Sequence, residues 1–274
     1  MYVDLDGTLL GPGGSLLCGA DGSFALDGVR ALQACARAGV EAVLYSGRMY
    51  RSVFEASRLI GQSSFIFELG CGLVVDGELE WLTGGLEPSP ELGSIFDQIE
   101  ATGGPGLLLE RFAGSLEYHT PWSVGREVSH LFRGSVPIAE VESVLSGAGL
   151  DWLRLVDNGI VRTVSEPSGD GHGWGVAGRL HAYHLIPAVA SKARAVARHM
   201  QNRGYAPAEC IAVGDSREDL DAAGVVGTFW LVGNAVERDP TLAGDVAGRA
   251  SVRIAEAGYG AGVYEAVVTT LAGG

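Results

Sequence analysis

Lysine is almost absent from this chain of 274 residues: of its 19 basic side chains, only Lys192 is not an arginine. Positive charge as a whole is scarce. The 33 acidic residues leave a net charge of -14 and a pI near 4.8, without the excess of Lys and Arg that nucleic acids and anionic membranes reward. No nucleic-acid partner is expected. No uninterrupted apolar run reaches the length that spans a bilayer, so no membrane partner is expected either. The opening Met1-Tyr2-Val3-Asp4 lacks the basic and then apolar stretch of a secretory signal, and the expected location is cytoplasmic. Cys18, Cys35, Cys71 and Cys210 are far apart, form no CxxC pair and have no histidine at zinc-ligand spacing. They read as reduced core or near-core thiols rather than as a disulfide framework or a zinc module.

What is present is apolar patterning. A hydrophobic content of 47% against 19% charged residues suits well-packed cores, and the length suits two domains. Residues 1–81 alternate β and α. Residues 2–5 read as a strand, 26–38 as a helix, 40–45 as a strand, 49–60 as a helix and 65–67 as a short buried strand. The first helix rests on Leu26, Val29, Leu32, Cys35 and Ala36 at three-to-four spacing, with Gly39 placed to end it. Asp76-Gly77 between two apolar runs predicts a hairpin. Over 82–185 the texture changes to Pro and Gly breaks, with strand-like pieces at 106–110, 152–156 and 160–164, and reads as an α+β insert. Residues 168–175 read as a long surface turn. Alternation resumes over 186–274, with a helix over 192–203, a strand over 210–213, a helix from Asp219 and a strand over 228–232. The two α/β parts are expected to pair into one domain.

Four clusters in these α/β parts carry chemistry. Asp4 and Asp6 stand at the carboxyl end of the first strand, where alternation puts both on one side, with Gly7 and Thr8 next to them. Ser46-Gly47-Arg48 follows the second strand and leads into a helix, a position suited to phosphate oxygens, although Ser46 taken alone reads as a helix N-cap. Lys192 opens a helix after Ala190-Ser191; a compact ammonium retained among so many arginines marks a position with chemical demands. Asp215 and Asp219 follow the strand at 210–213 and share a helical face if the helix begins early. Hard carboxylates of this kind suit Mg²⁺.

Carboxylates, hydroxyl, lysine and carboxylates, in this order, resemble the four motifs of the haloacid dehalogenase superfamily. The insert after the third strand and before the lysine resembles the type C2 cap. The run from Ile186-Pro187 to Lys192 is similar to the matching segment of the Cof-like, sucrose-phosphate and mannosyl-3-phosphoglycerate phosphatases. The resemblance implies a Rossmann-like α/β core with a parallel sheet and an inserted α+β cap domain, a Mg²⁺ cofactor, and hydrolysis of a small phosphorylated metabolite such as a sugar phosphate or a phosphoglycerate-type ester. It also implies roles. Asp4 is the nucleophile and forms an aspartyl-phosphate; Asp6 is general acid and then base. Ser46, the Gly47 N–H and Lys192 hold the phosphoryl group. Asp4, the Asp6 carbonyl, Asp215 and Asp219 serve the metal, Asp219 through water or by orienting Lys192.

The chain departs from the family pattern in three places: only three residues precede Asp4, Leu69 stands where Cof-like members usually carry Asn, and Glu218 where many carry Asn. Two competing readings remain. A phosphomutase needs a second anion site, for which Arg111, Arg126, Arg133, Arg154, Arg162 and Arg179 are available. A non-catalytic phosphate binder does not need Asp6. His119, Trp122, His130, Trp174, His181 and His184 are available to contact a substrate, and none is assigned.

Overall fold

The computed structural model describes residues 1–161 and 180–273, so the surface turn read at 168–175 lies outside the described residues. The first α/β part holds β1 (Tyr2–Val3), α1 (Asp27–Arg37), β2 (Val43–Tyr45), α2 (Tyr50–Leu59), β3 (Phe65–Phe67) and the hairpin β4 (Gly72–Val75) and β5 (Glu78–Trp81). The insert contributes α3 (Ile95–Ala101), α4 (Gly104–Arg111), β6 (Leu116–Tyr118), β7 (His130–Gly134), α5 (Ile138–Gly147), β8 (Leu153–Ile160) and β9 (His181–Pro187). The second part holds α6 (Lys192–Arg203), β10 (Ile211–Gly214), α7 (Arg217–Leu220), β11 (Thr228–Leu231), α8 (Gly233–Arg238), α9 (Leu242–Val246), β12 (Val252–Ile254) and α10 (Tyr259–Ala272).

Both α/β parts build one eight-stranded sheet in the order β12-β11-β10-β1-β2-β3-β4-β5, parallel except for the hairpin β4 and β5. Its inner strands β1, β2, β3, β10 and β11 are short, apolar and largely buried, as expected of a parallel sheet covered by helices on each side. Val3, Leu44, Phe65, Phe67, Val213 and Trp230 join one core cluster, with Ala31 and Cys35 of α1 and Val263 and Ala266 of α10. Their strand neighbours Tyr2, Val43, Tyr45, Ile66, Ala212 and Phe229 join the other, with Ala195, Val196 and Met200 of α6. The strand order reverses between β1 and β10. This is the switch point at which open α/β sheets collect ligands, beyond the carboxyl ends of the strands.

β1 has only two residues, yet it lies at the centre, pairing with β10 on one side and β2 on the other. The α-amino group donates to the Glu41 carbonyl at 2.7 Å, which anchors the strand from below. A central position supplies the fixation that length does not.

Residues Met1–Leu82 and Ala190–Gly274 form one compact unit and Thr83–Val189 the other. The insert holds a four-stranded antiparallel sheet, order β6-β7-β9-β8, with α3, α4 and α5. Because β9 runs to Pro187 in this sheet, residues 186–189 belong to the insert rather than to the second α/β part. The strand expected at 106–110 is instead α4. Its Leu107-Leu108-Leu109 triplet imitates a buried strand, but Gly103 at φ 75 turns the chain and Pro105 opens a helix. Gly104, Leu108 and Phe112 are then buried at helical spacing. The pieces at 152–156 and 160–164 merge into β8 as far as they are described, with an irregularity between Asp157 and Ile160.

Candidate active site

Asp4 comes directly after β1, where its amide still donates to the Val213 carbonyl at 3.0 Å and so continues the ladder with β10. The chain then coils instead of extending: the amides of Thr8 and Leu10 donate to the Leu5 carbonyl and that of Leu9 to the Asp4 carbonyl. The expectation that pleat alternation puts Asp4 and Asp6 on one side therefore does not apply, because the strand ends at Val3. The two carboxylates occupy different settings. Asp4 is buried, whereas the Asp6 side chain is 54% exposed and is held at both oxygens by Arg48.

Lys192 is buried at the first position of α6, which Ser191 caps by accepting the Arg194 amide at 3.1 Å. Its Nζ donates to Asp4 Oδ1 at 2.8 Å and to Asp219 Oδ1 at 2.6 Å, and lies 4.9 Å from the centre of the Tyr45 ring. The start of α6 is set by the turn at Glu68-Leu69-Gly70. A β-carbon on Gly70, whose φ is +89°, would overlap the Ser191 carbonyl, so only glycine lets the helix approach this closely. In that turn Leu69 occupies the left-handed region at φ 58, which Asn tolerates more readily.

Asp215 precedes α7 and does not share its face with Asp219, because the helix begins only at Arg217. Asp219 instead folds back as the third helical residue. Its Oδ2 accepts from the amides of Asp215 and Ser216 at 3.2 and 3.0 Å and from the Ser216 hydroxyl at 2.7 Å. One carboxylate thus orients both Lys192 and the Asp215 loop. Asp215 in turn accepts from the Thr8 hydroxyl at 3.2 Å and from Arg238.

Asp4, Asp215 and Asp219 are all buried, and each offers an oxygen within 4.8 Å of the others. The Asp6 side chain is not in this group. Hard oxygen donors around one small space fit Mg²⁺, which binds through a few carboxylates and keeps several waters. Burial raises the Asp4 carboxyl well above the usual carboxylate range; Lys192 opposes this, and Asp219 and Asp215 add to it. Asp215 is raised by burial too, against the pull of Arg238. Burial disfavours the Lys192 ammonium, but Asp219 and Asp4 more than compensate and raise its pKa.

Ser46 follows β2 and is buried. It does not cap α2, whose N-cap is Met49; its Oγ accepts the Arg48 amide at 3.2 Å. Gly47 lies between the two. Arg238 and Asn234 were not foreseen from the sequence. Asn234 Nδ2 donates to the Gly7 carbonyl at 2.9 Å while its Oδ1 accepts the Tyr259 amide at 2.7 Å, and so ties the loop after Asp4 to α10. The signal was available in Val232-Gly233-Asn234, another strand end leading into a helix.

No family model matches the chain. Its fold is similar to that of the sucrose-phosphatase from Synechocystis, solved with sucrose and phosphate (TM-score 0.63, 15% identity, 98% of this chain and 96% of that one). It is also similar to a haloacid dehalogenase-like hydrolase from Bacteroides thetaiotaomicron (TM-score 0.60, 16% identity, 98% and 97%). Two curated relatives are phosphoglycolate phosphatases. That of Archaeoglobus fulgidus is 26% identical over 86% of this chain and 84% of its own length. That of Pyrobaculum neutrophilum is 27% identical over 100% and 96%. The chain thus shares its fold with haloacid dehalogenase-like hydrolases and is similar in sequence to two phosphatases.

In the insert, Arg126, Arg133, His119, His130, His181 and His184 make local contacts. Arg126 is buried on the Ser129 hydroxyl and the Trp122 carbonyl, and Arg133 pairs with Glu117. His130 stacks on Phe96, His119 on Trp122, His181 meets Asp157 and His184 meets Ser129. Arg162, Trp174 and Arg179 lie outside the described residues.

Proposed function

We propose that the enzyme hydrolyses a small phosphate monoester with the help of Mg²⁺ and through an aspartyl-phosphate on Asp4, the phosphoglycolate of its curated relatives being the first candidate and sugar phosphates and phosphoglycerates the next. The observation that carries this reading is the buried bridge from Lys192 to Asp4 and Asp219, with Asp215 alongside. A carboxylate held by a lysine at a switch point, with two more carboxylates beside it, is suited to attack phosphorus.

Asp4 attacks the phosphorus while Asp6 gives a proton to the departing ester oxygen, and Asp6 then takes a proton from the water that releases phosphate from Asp4. Ser46 and the Gly47 N–H receive phosphoryl oxygens, and Lys192 offsets the negative charge that gathers on Asp4 and the phosphoryl group. Mg²⁺, held by Asp4, Asp215 and the Asp6 carbonyl, with Asp219 reaching it through water, would supply charge neutralisation between nucleophile and phosphate. Asp219 meanwhile keeps Lys192 in place. Among the described residues no observation favours the phosphomutase. Arg126 and Arg133 are engaged within the insert, and a mere binder has no use for Asp6.

A phosphate-release screen over phosphoglycolate, phosphoglycerates, sugar phosphates and nucleotides, with and without Mg²⁺, tests the proposal. Release from none of them would overturn it; isomerisation of a hexose phosphate dependent on a bisphosphate would establish the mutase.

A further inference from the structure

Asp6 is not one of the buried carboxylate group, and a half-exposed side chain on a coil has several rotamers open to it. Among the described residues one side-chain contact restricts it. Arg48 Nε donates to Asp6 Oδ2 at 2.6 Å and Nη2 to Oδ1 at 2.5 Å, the two-pronged geometry that fixes a carboxylate in orientation as well as position. The arginine is itself well anchored: its amide donates to Ser46 Oγ at 3.2 Å and its carbonyl accepts the Glu68 amide at 3.0 Å. Gly14 closes over the pair from the loop after β1. A β-carbon there would stand 3.2 Å from Arg48 Nη2 and 3.8 Å from Asp6 Oδ1.

From this we infer that Arg48 is the positioning residue of Asp6: it aims the carboxyl group at the ester oxygen and, later, at the attacking water. The inference rests on the hydrolase reading above. The fork takes one lone pair from each oxygen and leaves another on each, so a proton can be carried on the side away from the arginine. The transfer itself is conventional. The phosphorus–ester oxygen bond breaks as the bond to Asp4 forms, and the Asp6 proton goes to the departing oxygen. Lysine at position 48 offers a point charge without the fork and cannot fix the plane of the carboxyl group.

A phosphate-binding role and a positioning role separate by leaving group. A nitrophenolate departs without a proton, whereas the alkoxide of phosphoglycolate needs one. Steady-state kinetics of the wild-type protein, Arg48→Lys and Arg48→Met with 4-nitrophenyl phosphate and phosphoglycolate, in the presence of Mg²⁺, tests the inference. Both variants should lose about 100-fold in kcat/KM on phosphoglycolate, in the range general acid catalysis supplies, and less than about 3-fold on the aryl ester. The kcat on the aryl ester should still fall, with a burst of nitrophenolate, because the second step needs Asp6 as base. Arg48→Met should add nothing to Asp6→Asn on phosphoglycolate. Equal losses on the two esters, or no loss on either, would overturn the inference and leave the hydrolase reading standing. A wild-type protein that turns over neither ester would defeat the reading itself. Unchanged thermal unfolding of Arg48→Lys shows that the losses are not those of a misfolded site.

Discussion

Lys192 bridges Asp4 and Asp219 with two hydrogen bonds of 2.8 and 2.6 Å in a place almost closed to water. Removing the ammonium leaves two carboxylates buried side by side, which is costlier than losing the contacts alone. Lys192→Met is expected to destabilise the fold by about 3 kcal/mol, within the range for breaking a buried pair, and to abolish phosphate release. Urea unfolding and a phosphate assay check both.

Asp4→Asn should separate activity from stability. Its raised pKa means that the folded protein holds the Asp4 proton more tightly than the unfolded chain does. Stability from this group is therefore full below the unfolded value near 4 and is lost as pH rises through the folded one. Above the unfolded value the buried acid costs stability, and the neutral amide should raise the melting temperature of the metal-free protein, while phosphate release should fall by at least about 1,000-fold if Asp4 is the proposed nucleophile.

Mg²⁺ should raise the melting temperature of the wild-type protein in a saturable way. Asp215→Asn should remove that increase. Because Asp4 and Asp215 are both raised above the usual carboxylate range, protons compete with the cation, and its apparent affinity should fall as pH is lowered. Arg238 holds one oxygen of Asp215, so Arg238→Gln should bind Mg²⁺ more tightly. Calorimetric titration at two pH values measures each effect.

Gly70→Ala forces a β-carbon into the Ser191 carbonyl at a backbone conformation that alanine resists. The start of α6 must yield, and Lys192 with it. A loss of about 1–3 kcal/mol in stability, the usual range for such strain, should accompany a fall in kcat, whereas Gly77→Ala, with open space around the β-carbon, should leave kcat unchanged.

Far from the site, Arg203 joins Glu41, Asp76 and Ser64. Its hydrogen bond, with that of Ser63, holds the Asp76 carboxyl down to about 2. Glu41 is also held below its usual range, with burial opposing and His199 and Arg203 prevailing. Depressed carboxyls stabilise the fold above their unfolded values and cease to do so as pH falls through the folded ones. Arg203→Met should therefore move acid unfolding to higher pH, as followed by circular dichroism.

Much of this was legible in local pattern. The alternation of strands and helices, the hairpin at Asp76-Gly77 and the start of α6 at Lys192 follow from periodicity and capping, which act over a few residues. The leucine triplet of α4 was misread because an apolar run fits a strand or a buried helix equally well until burial on one face is known. Asp6 was assigned with Asp4 because both stand beside one strand; their separation into an exposed and a buried setting depends on where that strand stops.

The sequence by itself determined which residue types stand at the strand ends and in which order: a carboxylate pair, a hydroxyl, one lysine and two further carboxylates. The tertiary structure decided which of them meet. Lys192 reaches Asp4 across 188 positions of chain, Arg48 reaches Asp6 across 42, and Arg238 and Asn234 enter from a helix that no motif had marked. Contacts of this range depend on the order of strands in the sheet, and that order is settled by the burial of both its faces. The lone lysine could be recognised as unusual from composition; that it is buried between two carboxylates only the fold determines.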